Sequence, residues 1–331
     1  MRTITILFSV LIFCIGNPIT AQVEPGSVIE ENLDAYLATP TTNHVKEIPV
    51  VVIRYLPTID GFNIDVAQAT DYWNLGYISL DDLKFNIDNY DKRAKFSLEE
   101  GSRYHGYQDA NSVSYLGYKV IKYLTVYRQI YISNFVIVSE GGEDLYQPDY
   151  NLEFDELNLT NYLNDNHVQE VWLWYGEAAR PNWPSYDPEI HGNIAKYVTF
   201  VESNMASPTT GDISNSNRIP NDLYILDNTY VVYSYNFRRS QAEAVHNHGH
   251  QLESIYNYTA NRQDGNIGLF VQNFCGWGDN NYTIPPIGRA GDCHHPPNTT
   301  EGYDYLNPTL VASDIEKTPK HRNINRFKQS S

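Results

Sequence analysis

Three shortages narrow the reading of this sequence. Apolar runs long enough to matter for a membrane are missing after residue 15, so no later segment is expected to cross one. Basic charge is short. The 23 Lys and Arg stand against 40 Asp and Glu, a formal charge of -17. Such a surface repels phosphate backbones and anionic lipid, which argues against nucleic acid and membrane docking as partners. Cysteine is scarce as well. Of the 3 present, Cys14 sits inside the N-terminal apolar run, behind Ile12 and Phe13, where it reads as part of a leader and not as a lipidation site. Internal repeats and low-complexity tracts are also missing, which excludes solenoid and fibrous architectures.

The N-terminus explains the cysteine usage. Met1 and Arg2 carry positive charge, Ile4 to Ile15 is apolar, and Ala21 is a small residue placed for cleavage before Gln22. This layout predicts a secretory signal peptide over residues 1–21, hence a secreted protein, extracellular or periplasmic. In an exported chain the pair Cys275 and Cys293 is most simply a disulfide. It would close a loop of about 18 residues and stabilise by roughly 3 kcal/mol in the loop-entropy model. That loop holds Pro285, Pro286 and several glycines, and the bridge would fix His294 and His295 just behind it.

Roughly 310 residues remain after the leader, enough for one large domain. Aromatic side chains are plentiful, with 27 Tyr, 12 Phe and 5 Trp available for a core or an aromatic-lined cleft. Residues 22–45 read as an extended leader, 46–316 as a single globular domain, and 317–331 as a flexible basic tail. Ile48–Leu56, rich in β-branched residues and flanked by prolines, predicts a buried strand. Ser79 with Asp82 three residues on predicts a helix start. Two strands are expected within Tyr115–Ile137, a helix over Asp155–Leu163, a strand over Val168–Tyr175, and a short one over Tyr197–Val201. A strand pair is expected at Tyr224–Leu226 and Tyr230–Tyr235. The clearest helix runs from Gln241 to Tyr258 and is followed by a loop-rich C-terminal part. The fold class is therefore α+β or α/β, a mixed sheet with packed helices.

The chemistry concentrates on that last helix. Glu243, His246, His250 and Glu253 fall within about an 80° arc at 100° per residue. Four ionisable groups on one stripe are poor core material unless paired or coordinated. Two His at i and i+4 direct imidazole nitrogens toward one point, the spacing by which helices hold zinc. Glu253 or His295 is the candidate third ligand. His248 projects to the opposite side of the helix.

The segment His246-Asn247-His248-Gly249-His250 resembles the H-E-x-G-H helix of the zincin metallopeptidases. The order of strands and helices before it is similar too. The resemblance implies a zincin-like core, with His246 and His250 as zinc ligands. The family's general base is the Glu after the first His; here that position is Asn247, so the usual base is missing. The longer pattern H-x-x-G-H-x-x-E-S, with His294, His295, Pro296, Pro297 and Asn298 downstream, is similar to a group of secreted proteins that implies no particular activity.

A substitute base is sought among Glu243, Glu253 and Glu202. Trp172 and Trp174 share one face of their strand, and such a face can stack sugar rings or line a core. Asn236, Arg238 and Tyr303 are further substrate-binding candidates. Glu177, Trp183 and Trp277 lie in the same aromatic and acidic company. Three functions fit. The first is a metal-dependent hydrolase acting on peptide or glycan. The second is a metal-free carbohydrate-active enzyme, either a glycoside hydrolase with two carboxyls flanking the bond or a polysaccharide lyase. The third is a non-catalytic peptide- or glycan-binding protein.

Overall fold

The computed structural model describes residues 22–41, 43–65, 79–103, 111–138, 144–176, 178–179, 197–200, 212–213, 223–237, 239–259, 295, 298–300 and 307–309. The predicted signal peptide, Cys275, Cys293, Trp183, Trp277, Glu177, Glu202, Arg238, Tyr303 and the basic tail lie outside them.

The chain begins with a short strand, β1 (Val28–Glu30), and a single helical turn, α1 (Ala35–Ala38). Strand β2 (His44–Tyr55) follows, then helix α2 (Leu80–Gly101) and strand β3 (Ser114–Val126). Next come β4 (Ile132–Val138), β5 (Asp144–Pro148), α3 (Tyr150–Glu156) and α4 (Leu159–Asp165). The remaining elements are β6 (Glu170–Tyr175), β7 (Ala178–Ala179), β8 (Tyr197–Phe200), β9 (Asp212–Ile213), β10 (Val231–Asn236) and α5 (Ser240–Thr259).

The main sheet has the order β1-β3-β2-β6-β10-β9. Its four inner strands are parallel, and both outer strands run antiparallel to their neighbours. This is the expected mixed sheet. Where helices cover both sides, the inner strands are mostly apolar on both faces. The run Val50-Val51-Val52-Ile53 is completely buried. Its alternate members feed two cores: Val50 and Val52 meet Leu83, Ile87 and Trp172 on one face, and Val51 and Ile53 meet Tyr150, Phe154 and Leu163 on the other. Helices α2 and α5 pack together on the first face; α3 and α4 cover the second. Pro49 has no N–H to give a ladder. It sits just before a register shift at Val50/Val51 and just before β6 joins β2 at Val50, so no strand asks it for a donor on that side. Strands β4, β5, β8 and β7 form a second, four-stranded sheet.

Local signals explain most starts and stops. The Ser79 hydroxyl accepts from the Asp82 backbone N–H, the expected cap on α2. Two expectations need correction. The single helix over 155–163 is two short helices, because Asn158 takes φ 52°, in the left-handed region. Phe154 and Leu159 are five residues apart, which puts them on different sides of one continuous helix; the break at Asn158 turns both into the second core. The expected 224–226 partner strand does not form. β10 instead pairs with β6 in parallel along its whole length and with β9 at its start. Residues 22–45 hold β1, α1 and the start of β2. β1 pairs with β3, Asp34 caps α1, and Glu31 bridges to Arg54.

Candidate functional site

Helix α5 leaves the carboxyl end of β10 and packs back across the sheet. Ala244 lies fully buried against the first core. Asn247, also fully buried, donates its side-chain amide to the Ser234 carbonyl of β10 at 2.8 Å. The residue at the zincin base position thus faces the sheet and fastens the helix to it.

His248 faces the sheet as well. Its Nδ1 lies 2.8 Å from the Ala244 carbonyl, which can only accept, so Nδ1 carries a hydrogen. Its Nε2 lies 3.0 Å from Glu170 Oε2, and that contact then needs a proton on Nε2 or on the carboxyl. Trp172 Nε1 donates to the same Glu170 oxygen at 2.8 Å. Tyr233 stacks on the imidazole at 3.8 Å, with Trp172 and Tyr118 edge-on at 6.0 and 6.2 Å. Burial, and secondarily the Glu170 charge, pushes the Tyr118, Tyr233 and Tyr235 hydroxyls well above the usual phenol range. Glu170 was not among the candidates read from the sequence. The signal was there: strand alternation puts Glu170 on the same face as Trp172 and Trp174.

Two turns of the same helix present the other histidines. His246 and His250 are half-buried, and their rings stand at 90° with centroids 4.3 Å apart. Their Nε2 atoms are 2.8 Å apart, so one donates to the other. The i,i+4 spacing therefore brings both nitrogens to one point, as expected. A tetrahedral zinc with bonds of about 2.0–2.1 Å would hold two such nitrogens roughly 3.3 Å apart. The pair as placed is closer than that, and it supplies two imidazoles, one of the ligand types zinc takes. Among the described residues, no group of three or more His, Cys, Asp or Glu side chains surrounds a common point, and His295, itself half-buried, does not complete one there.

The remaining candidates divide. Glu243 does share the helix, but its carboxylate is buried at the β10–α5 junction. There it accepts the Asn236 backbone N–H at 3.3 Å, with Arg239 Nε at 3.9 Å. Asn236 is thereby the last residue of β10 and a donor to the helix. Glu253 sits on α5 one turn beyond His250. Trp172 and Trp174 require correction as a sugar-stacking face: both are fully buried beneath α2 and α5. Trp174 Nε1 donates to Asp91 at 2.7 Å and its ring packs on Tyr90 and Tyr235. Their alternation had two outcomes, and the layer of α2 and α5 decides for the core.

Compared with protein-family models, curated proteins and solved structures, the chain matches none.

Proposed function

We propose that this chain is an exported metal-dependent hydrolase, acting on peptide bonds or glycans, whose centre is built on His246 and His250. The observation that carries this reading is the meeting of the two Nε2 atoms at 2.8 Å on the half-buried flank of α5. A bound zinc would supply an acidified water and polarise the scissile group. The protein's own contribution is positional. Asn247 and His248 fasten the helix to β10 and β6, which anchors the turns that carry His246 and His250.

The missing base separates this reading from simple membership of the zincin type. With Asn247 turned to the sheet, proton transfer must fall to a carboxylate elsewhere; Glu253, on the same helix stripe, and Glu202 are the candidates. Glu243 is the weakest of the three, since its carboxylate already serves the helix start. The carbohydrate-active alternative without metal loses its stacking platform once Trp172 and Trp174 are buried.

The test is metal analysis of protein purified without chelator. Roughly one zinc per chain is expected, retained through gel filtration and lost in His246→Ala and His250→Ala while circular dichroism is unchanged. Equal metal content in all three proteins, or none in any, removes the reading.

A further inference from the structure

Helix α2 turns an unusual face to the sheet. Leu80, Leu83, Ile87 and Ala94 are apolar, but Asp91, between them, is fully buried. Its two oxygens are taken by Trp174 Nε1 on β6, at 2.7 Å from Oδ1, and by the Tyr123 hydroxyl on β3, at 2.7 Å from Oδ2. The Tyr123 hydroxyl is also 3.2 Å from Asp88 Oδ1, one turn earlier on the same helix. A phenol has one hydrogen and here stands between two carboxyl groups. One hydrogen can serve both only as a shared, three-centre bond; two full hydrogen bonds need a second proton.

The charges around it point the same way. Arg54 of β2, buried, reaches Asp88 at 2.6 Å and Glu31 at 3.0 Å, and Lys84 reaches Glu31 at 2.8 Å. Three carboxyls, Glu31, Asp88 and Asp91, thus share two cations. Asp91 is the one of the three that touches neither. The neighbouring cations of α2 are committed elsewhere, Lys92 to Asp34 and Lys95 to Glu99. From β10, Tyr235 packs its ring 4.8 Å from Trp174. From α5, the imidazole of His248, 6.4 Å from Tyr235, is held by Glu170.

We propose that Asp91 is a buried proton store: folded, it is a neutral acid whose O–H donates to Tyr123, which in turn donates to Asp88, and on alkalinisation it gives up that proton and weakens the grip of α2 on the sheet. The proton leaves Asp91 Oδ2 for water. Tyr123 then turns its hydrogen from Asp88 to the new carboxylate, so one hydrogen bond is lost and an anion remains in the core without a cation against it. Burial is the main cause that lifts the Asp91 carboxyl to about 7; the Tyr123 and Trp174 hydrogen bonds and the Arg54 charge oppose the lift, and the Asp88 charge adds to it. Because the folded value lies above that of an unfolded carboxyl, the linked stability is complete in acid and is lost as pH rises toward and past about 7.

The experiment follows thermal unfolding of the full chain at about pH 5 and about pH 8, with Asp91→Asn as the isosteric neutral variant. The amide keeps an acceptor for Trp174 and a donor for Tyr123. The wild type should lose roughly 5–10 °C more than Asp91→Asn over this range, and the variant should be the more stable of the two at the alkaline end. Parallel pH dependence in both proteins overturns the proposal. Should Asp91→Asn not fold, difference infrared spectroscopy on the wild type decides. A carboxylic-acid carbonyl band present in acid and lost by the alkaline end supports the store; no such band overturns it.

Discussion

At the scale of single residues, the most informative side chain is Asn247. Its sequence position resembles that of a catalytic base, yet its amide is bonded to Ser234 of the sheet. Placing a glutamate there is therefore expected to fail. Asn247→Glu would place a carboxylate in a fully buried site against a carbonyl oxygen, costing about 2–5 kcal/mol in urea unfolding and creating no hydrolytic activity. A gain of activity with unchanged stability would contradict this placement of the side chain. Glu153 makes a comparable commitment on the opposite face. Its buried carboxylate receives both Arg128 nitrogens at 2.9 Å, the Tyr55 hydroxyl at 2.9 Å and the Tyr131 backbone N–H at 2.6 Å. Glu153→Ala is expected to cost about 3–5 kcal/mol, because Arg128 is left without its partner, and chemical denaturation measures it. Residue roles of this kind were the least legible in the sequence. Asn247 declares itself only when β10 is placed under α5, a long-range fact that spacing along the chain cannot carry; for Glu170 alternation gave the face but not its partner His248.

At the scale of elements, more was readable, and the misses have a common cause. β2, α2, β6 and α5 were visible because each carries a strong local pattern: a β-branched run, a Ser–Asp cap, an apolar run of Trp and Leu, a helical His stripe. The helix pair α3–α4 was blurred into one, because Asn158 is an ordinary residue until the need to bury both Phe154 and Leu159 forces it left-handed. This junction makes its own prediction. Asn158→Gly should leave stability within about 0.5 kcal/mol of wild type or improve it, whereas Asn158→Val should cost about 1–2 kcal/mol. Similar unfolding midpoints for the two variants would show that the left-handed turn carries no strain. The 224–226 strand failed for another reason. β10 finds its partner in β6, more than fifty residues earlier in the chain, and a hairpin signal is blind to a parallel partner.

At the scale of the whole molecule, the cluster around Arg54 holds two carboxyls shifted in opposite directions, Glu31 down and Asp91 up. Burial raises the Glu31 carboxyl, but hydrogen bonds from Lys84 and Thr125 with the charges of Arg54 and Lys84 outweigh it and hold the group down at about 2. A depressed folded value means that the stabilisation is present above the unfolded carboxylate range and is lost as pH falls toward about 2. After allowance for solvent screening, this limb is worth about 1–2 kcal/mol, and Glu31→Gln should remove it from an acid titration followed by circular dichroism. Acid unfolding identical in the two proteins would exclude Glu31 as its source.

The edges of the main sheet carry one more consequence. Its longest strand, β3, is 13 residues, yet among the described residues the sheet ends in a strand of 3 residues on that side and of 2 on the other. β1 covers only Leu124–Val126 of β3, and nearer the start of β3 the Leu116 and Tyr118 backbone N–H groups are taken by Ser102 and Glu99 instead. That edge is blunted by side chains as much as by strand length, and clipping β1 away would free only the last three residues of β3 for the strand of another molecule.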